Sequence, residues 1–190
     1  MPLLQEEEGG EEAALSSATE ALTAFAPQFE AAHWTGLRRK LGFFTDAEGD
    51  KALAEDLLQR MAVNRADFTL TFRRLCQAAA GPEHDRPVRA LFAMPSSYDE
   101  WAAGWRRRLQ QESASAEDRA SLMRQANPVF IPRNHLVEAA LKAAVERQDF
   151  KPFAELLDVV THPFEDKPDR ESFTLPARAE ERVEHTFCGT

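Results

Sequence analysis

Apolar residues recur along most of the chain at intervals of three and four, and the stripes they draw predict a succession of helices. Leu22, Phe25, Phe29, Leu37 and Leu41 mark a first helix running on from Ser16, kinked or restarted at Pro27 and closed at Gly42, where a left-handed cap is needed. Asp46 stands where it can cap a second helix, whose Leu53, Leu57 and Met61 share one stripe and which ends near Asn64. The segment Phe68-Thr69-Leu70-Thr71-Phe72 alternates like a strand, yet Phe68, Phe72, Leu75 and Ala79 also suit a helix closed by Gly81. Helix is preferred, because no partner strand is visible elsewhere.

A polar break from Pro82 to Pro87 precedes a short apolar helix, Val88 to Met94, stopped by Pro95. Ser97 and Glu100 have the spacing of a capping box ahead of Tyr98, Trp101, Trp105 and Leu109, which share a face; Ser115 and Asp118 repeat that start signal more weakly. Asn127-Pro128 breaks the pattern. With Pro132 in a first turn, Leu136, Val137, Ala140, Leu141, Ala144 and Val145 form a further stripe. Asp149 caps a last helix whose Phe153, Leu156, Leu157 and Val160 face inward until His162-Pro163. The expected fold is therefore all-α, an irregular bundle of about seven or eight helices without a repeat period. Residues 1–14 are expected to be a disordered acidic segment, 15–164 the helical domain, and 165–190 an extended or loosely docked tail.

Composition narrows this picture. A chain of 190 residues with 43% hydrophobic side chains can bury a core, and thirteen Phe against one Tyr suit closely packed helices. A formal charge of -9 repels phosphate backbones, so no nucleic-acid partner is expected. No apolar run approaches the roughly 20 residues that cross a bilayer, so no membrane partner is expected either. Glu6, Glu7 and Glu8 stand where a leader would be basic, and an intracellular location is expected. Cys76 and Cys188 are too few for a disulfide framework or a cysteine-based zinc site.

Catalytic chemistry is hard to place. The glycines never take phosphate-loop spacing, and neither a His-Arg-Asp catalytic loop nor an Asp-Phe-Gly segment occurs. His33, His84, His135, His162 and His185 are scattered without chelate spacing, so no catalytic, cofactor-binding or metal residue is assigned. Arg106, Arg107 and Arg108 after Trp105 fit an anion groove less well than a solvated helix end favoured by its dipole. Two dense clusters remain. Arg65, Asp67 and Arg73 lie in one, Asn127, Arg133 and Asn134 in the other, and a domain interface and an internal brace stand as equal readings for both.

Arg39-Lys40-Leu41-Gly42-Phe43, the segment Asn64 to Leu75, the block Asn127 to Leu136 and the ending Pro163-Phe164 together resemble the C-terminal portion of the selenoprotein O (YdiU) family, in order and spacing across roughly residues 20 to 165. That resemblance implies, for full-length members, a kinase-like fold that transfers AMP from ATP to protein hydroxyl groups with a divalent metal such as magnesium. It also implies that the nucleotide-binding lysine and the metal-binding Asn and Asp lie upstream of the matched region. On this reading the chain has no cofactor of its own, is inactive alone, and has the family's kinase-like catalytic domain as its partner. A free-standing helical adaptor with other protein partners is the alternative. The resemblance makes the compartment cytoplasmic, or mitochondrial for a eukaryotic member whose leader is missing. Phe187-Cys188-Gly189-Thr190 resembles the family's terminal motif, which makes Cys188 a redox candidate, although Gly and Thr replace the Ser residues often found after that cysteine.

Overall fold

The computed structural model describes residues 10–181, with side chains from Ala13 onward; Cys188 and His185 lie outside the described residues. Among the described residues eight α-helices follow one another: α1 (Gly10–Leu41), α2 (Asp50–Asn64), α3 (Phe68–Ala78), α4 (Arg86–Arg89), α5 (Pro95–Leu109), α6 (Ala116–Ala126), α7 (Asn134–Arg147) and α8 (Lys151–Val160). Short 3-10 segments occur at Pro82–His84, Pro168–Thr174 and Ala179–Glu181, and no strand occurs among the described residues. The fold is all-α. Among the described residues no helix is long and apolar enough to cross a membrane.

Packing divides the helices between two apolar clusters. The larger gathers the C-terminal end of α1 with α2 to α6 around Tyr98, Trp101 and Trp105. The two indoles stack at 5.2 Å between ring centroids, and each Nε1–H donates to a helix carbonyl, Trp101 to Leu53 at 2.8 Å and Trp105 to Leu41 at 2.9 Å. Their rings thus exclude water while their polar atoms remain satisfied. The smaller cluster joins α7 and α8 through Phe130, Ala140, Leu156 and Val159, with Phe173 packed against it from the following 3-10 segment.

Several starts and stops follow the sequence. Phe68 to Ala78 is helical, and Asp67 caps it by accepting from the Leu70 N–H at 2.8 Å. Ser115 caps α6 by accepting from the Asp118 N–H at 3.1 Å. Gly42 closes α1 at φ +78°, and an added Cβ there would stand 2.9 Å from the Met123 Sδ.

Other boundaries differ. Helix α1 begins at Gly10, inside the stretch expected to be disordered, and runs through Pro27 without restarting, because the flanking Ala24, Ala26 and Gln28 all favour helix. Asp46 does not cap α2; it pairs with Arg38 at 2.8 Å, while Gly49 at φ +90° makes the turn. Pro95 starts α5 rather than stopping its predecessor, since a first-turn proline forfeits no helical hydrogen bond. Ser97 and Glu100 then lie inside the helix, where Ser97 accepts from the Asn64 side chain at 3.2 Å and Glu100 pairs with Arg60 at 3.0 Å. The short helix ahead of it spans Arg86–Arg89 with Pro87 in its first turn, instead of Val88 to Met94.

The predicted stripes of α1, α7 and α8 are only partly buried. Leu22, Phe25 and Phe29 are exposed, as are Leu141, Val145, Phe153 and Leu157. Helices α7 and α8 pack chiefly on each other, so each hides one narrow line of side chains, Ala140 and Ala143 on one and Leu156 and Val159 on the other. The segment after Phe164 is docked as far as it is described: Lys167 pairs with Asp158 at 2.9 Å and Thr174 is buried.

Candidate functional site

The two sequence clusters meet where the larger and smaller helical groups join. The extended Val129–Arg133 link leaves α6 and carries Arg133 back to α3, whose capping Asp67 receives both its terminal nitrogens, Nη1 on Oδ2 at 2.8 Å and Nη2 on Oδ1 at 3.0 Å. A planar guanidinium matches a carboxylate in this two-point geometry, so the pair fixes the direction of the link as well as its position. Burial pushes the Asp67 carboxyl up, but the Arg133 bonds and the Leu70 N–H outweigh it and hold the group below its ordinary range.

Arg73 lies nearly two turns further along α3. It donates to the carbonyls of Arg124 at 3.2 Å, Asn127 at 2.9 Å and Phe164 at 3.3 Å, and pairs with Asp166 at 2.7 Å. One side chain thereby ties the end of α6 to the chain leaving α8. Asn127, fully buried, donates to the Lys40 carbonyl at 3.0 Å and to the Cys76 Sγ at 3.4 Å. Lys40 returns the contact by donating to the Ala126 carbonyl at 2.8 Å and lies 5.6 Å from the centre of the Phe72 ring. Burial lowers the Lys40 pKa and raises that of the Cys76 thiol, which makes that thiol a poor nucleophile. Arg65 and Asn134 stand apart. Arg65 is an exposed residue at φ 54° that closes α2, and Asn134 is exposed at the start of α7.

Three further arginines hold the larger cluster. Arg108 is buried, donating to Asp50 Oδ1 at 2.6 Å and Oδ2 at 3.0 Å while pairing with Glu112 at 2.7 Å. Glu112 also accepts from the Thr45 N–H at 3.2 Å and hydroxyl at 2.8 Å. Burial favours the neutral acid, yet the Thr45 bonds and Arg108 together hold Glu112 below the usual carboxylate range. Arg106 pairs with Asp85, which also accepts from the Tyr98 hydroxyl at 2.6 Å. Arg119 donates to the carbonyls of Leu109 at 3.3 Å and Ala114 at 3.0 Å, satisfying groups left free where α5 ends. The arginine run after Trp105 is thus not simply a solvated helix end: two of its three members are drawn inside.

None of Asp50, Asp85 or Arg119 stands out as a site residue from the sequence. Arg108 and Glu112 have the four-residue spacing of a helical ion pair and were legible on that ground. Asp50 is 58 positions from Arg108, and no local pattern joins them.

These carboxylates do not suit a magnesium–triphosphate site, because Asp50 and Glu112 are turned to Arg108, Asp67 to Arg133 and Asp85 to Arg106. Among the described residues no three His, Cys, Asp or Glu side chains converge as metal ligands. A cleft of about 410 Å³ between Arg73, Arg74, Arg124 and Cys76 has its inner cations already engaged, Arg73 as above and Arg74 on the Pro87 carbonyl at 2.8 Å.

The described residues thus form an all-α region in which arginines clamp carboxylates and helix-end carbonyls. Comparison with known proteins gives its kinship. The family model described as protein adenylyltransferase SelO matches residues 12–161, and the chain belongs to that family. Similar relatives include a protein nucleotidyltransferase YdiU of Methylorubrum extorquens, 52% identical over 100% of this chain and 39% of the relative. A Bradyrhizobium protein of the same name is 53% identical over 93% of this chain and 36% of its own length. That of Nitrobacter hamburgensis is 49% identical over 100% and 37%. The chain therefore spans less than two fifths of the length of these relatives.

Proposed function

We propose that this chain is the C-terminal helical accessory region of a protein nucleotidyltransferase, packing against a kinase-like catalytic part that transfers AMP from ATP to protein hydroxyl groups with magnesium. The observation that carries the reading is coverage: the chain aligns from end to end with a bacterial protein nucleotidyltransferase, yet accounts for 39% of it. The internal carboxylates support it, since each is committed to an arginine of the same chain and serves the fold. The isolated chain neither binds ATP tightly nor transfers AMP, and its compartment is the bacterial cytoplasm. Cys188 is a redox-responsive position of the whole enzyme rather than a catalyst.

Calorimetric titration of the chain with ATP and magnesium, with an AMP-transfer assay on a generic protein substrate, tests this reading. No heat above dilution and no labelled product are expected; micromolar binding or transfer by the isolated chain overturns it.

A second reading, a free-standing helical adaptor, is favoured by the exposed Phe25, Phe29, Phe150 and Phe153. Light scattering tests it. A dispersed monomer with little dye-accessible apolar surface counts against the adaptor.

A further inference from the structure

Helix α1 is 32 residues long, and among the described residues the larger cluster takes up only its C-terminal turns, through Leu37 and Leu41 with Trp34 packed beside them, while Ala14 is buried near its other end. From Ala21 to His33 every residue is exposed. Leu22 is 76% exposed, Phe25 64% and Phe29 58%. These side chains are not scattered. Leu15, Leu22 and Phe29 recur every seven residues, and Ala18, Phe25 and Ala32 fall between them at alternating spacings of three and four, which is the seam that a helix presents to a packed partner. Phe25 and Phe29 stack at 5.9 Å, and Phe29 stacks on His33 at the same distance, so the rings form one continuous ridge.

The rest of the segment is unlike a solvated helix. From Ala13 to Phe29 the one charged residue is Glu20, and the hydroxyls of Thr19 and Thr23 turn back onto their own helix, donating to the carbonyls of Leu15 at 2.8 Å and Thr19 at 2.7 Å. Pro27 lies within the exposed part and removes an amide donor there. An interior proline destabilises a helix, and a nearly uncharged helix standing alone has little to offset that. Tertiary burial is what such a segment lacks. Beside the ridge, α1 and α2 flank an open cleft of about 520 Å³ lined by Trp34, Leu37 and Leu58 together with Glu30, Lys51 and Glu55, with room for side chains from whatever covers Phe29.

We infer that the Leu15–Phe29 face of α1 is the docking surface for the catalytic part of the same enzyme, an apolar and largely uncharged helical surface that covers Leu22, Phe25 and Phe29 and reaches into the cleft beside Trp34. This rests on the function proposed above. The relatives carry more than half their length outside the matched region, and the family match begins at residue 12, so the ridge lies within the family's own sequence, on the first helix of the chain. A second copy of the chain is the competing occupant.

Hydrogen exchange read by mass spectrometry tests the inference on three samples: the chain alone, the full-length Methylorubrum extorquens relative, and that relative with its matched region replaced by this chain. In the chain alone, amides 21–33 exchange fast. In the chimera, and over the equivalent segment of the relative, exchange is expected to slow by about 100-fold. Phe25→Asp in the chimera returns the segment to within about threefold of the free rate, whereas Ser121→Asp, at an exposed position of α6, leaves protection unchanged. Equal exchange in all three samples overturns the docking face, and the natural relative decides that point even if the chimera does not fold. Protection already present in the chain alone, rising with concentration alongside a dimer in sedimentation, overturns it in favour of a second copy. AMP transfer by the chimera reports separately on the proposed function: transfer without protection sinks only the docking face, and protection without transfer sinks only the assigned chemistry.

Discussion

Arg133 reaches from the extended link between α6 and α7 to hold both carboxylate oxygens of Asp67, at 2.8 and 3.0 Å, while the same carboxylate caps α3. One acidic side chain thus ends a loop, starts a helix and orients the smaller helical cluster. Asp67→Asn keeps a capping oxygen but breaks the two-point pair, and a loss of about 3 kcal/mol in urea unfolding is expected because a buried guanidinium is left unmatched. Asp67→Ala also removes the cap and is expected to lose about 1 kcal/mol more. Equal stability of the two variants would show that the cap contributes nothing.

Glu112 gives a pH dependence. Its carboxyl is held below the ordinary value of ~4.3, so the stability it contributes is complete above that value and is lost as pH falls through the lower folded-state value. Glu112→Gln is therefore expected to be less stable than the parent at pH 7, by about 2 kcal/mol, and to lose less further stability on acidification. Parallel unfolding midpoints for both proteins from pH 7 to pH 3 would show that Glu112 does not titrate differently on folding.

Gly42 tests the close approach of α1 to α6. Ala at this position would adopt φ +78° and bring its methyl group to 2.9 Å from the Met123 Sδ and 3.1 Å from the Arg119 Cγ. Left-handed backbone alone costs about 1–2 kcal/mol, so Gly42→Ala is expected to lower stability by at least that much. Gly49→Ala shares the positive φ but has open space around it. The difference between the two variants, read by chemical denaturation, isolates the packing component.

Cys76 is buried and accepts from the Asn127 side chain, and burial raises its thiol pKa. Alkylation at Cys76 is expected to follow the rate of unfolding rather than reagent concentration, as peptide mapping by mass spectrometry would reveal. Asn127→Ala removes that donor and leaves the Lys40 carbonyl without its side-chain partner. Faster alkylation of Cys76 in that variant is the expected outcome.

Much of the fold follows from residues close in sequence. Three- and four-residue periodicities mark the helices, Ser115 marks a start and Gly42 marks a stop, because propensity, capping and left-handed backbone are local properties. The family resemblance carried by residues 39–43, 64–75 and 127–136 was also legible. Local signals misled where two were valid at once. Pro95 can end one helix or begin the next, and Ser97-x-x-Glu100 has capping-box spacing whether or not the chain uses it.

Tertiary structure decided which apolar stripes are covered and which charges are paired. Periodicity gives Leu22, Phe25 and Phe29 the same mark as Leu37 and Leu41, yet only the last two meet the core, because burial depends on what a helix packs against and not on its own pattern. Asp50 finds Arg108 across 58 positions, and Asp67 finds Arg133 across 66, through folding that brings α2 to α5 and the Val129–Arg133 link to α3. A sequence specifies the side of a helix on which a residue lies; the neighbour waiting on that side is a property of the whole fold.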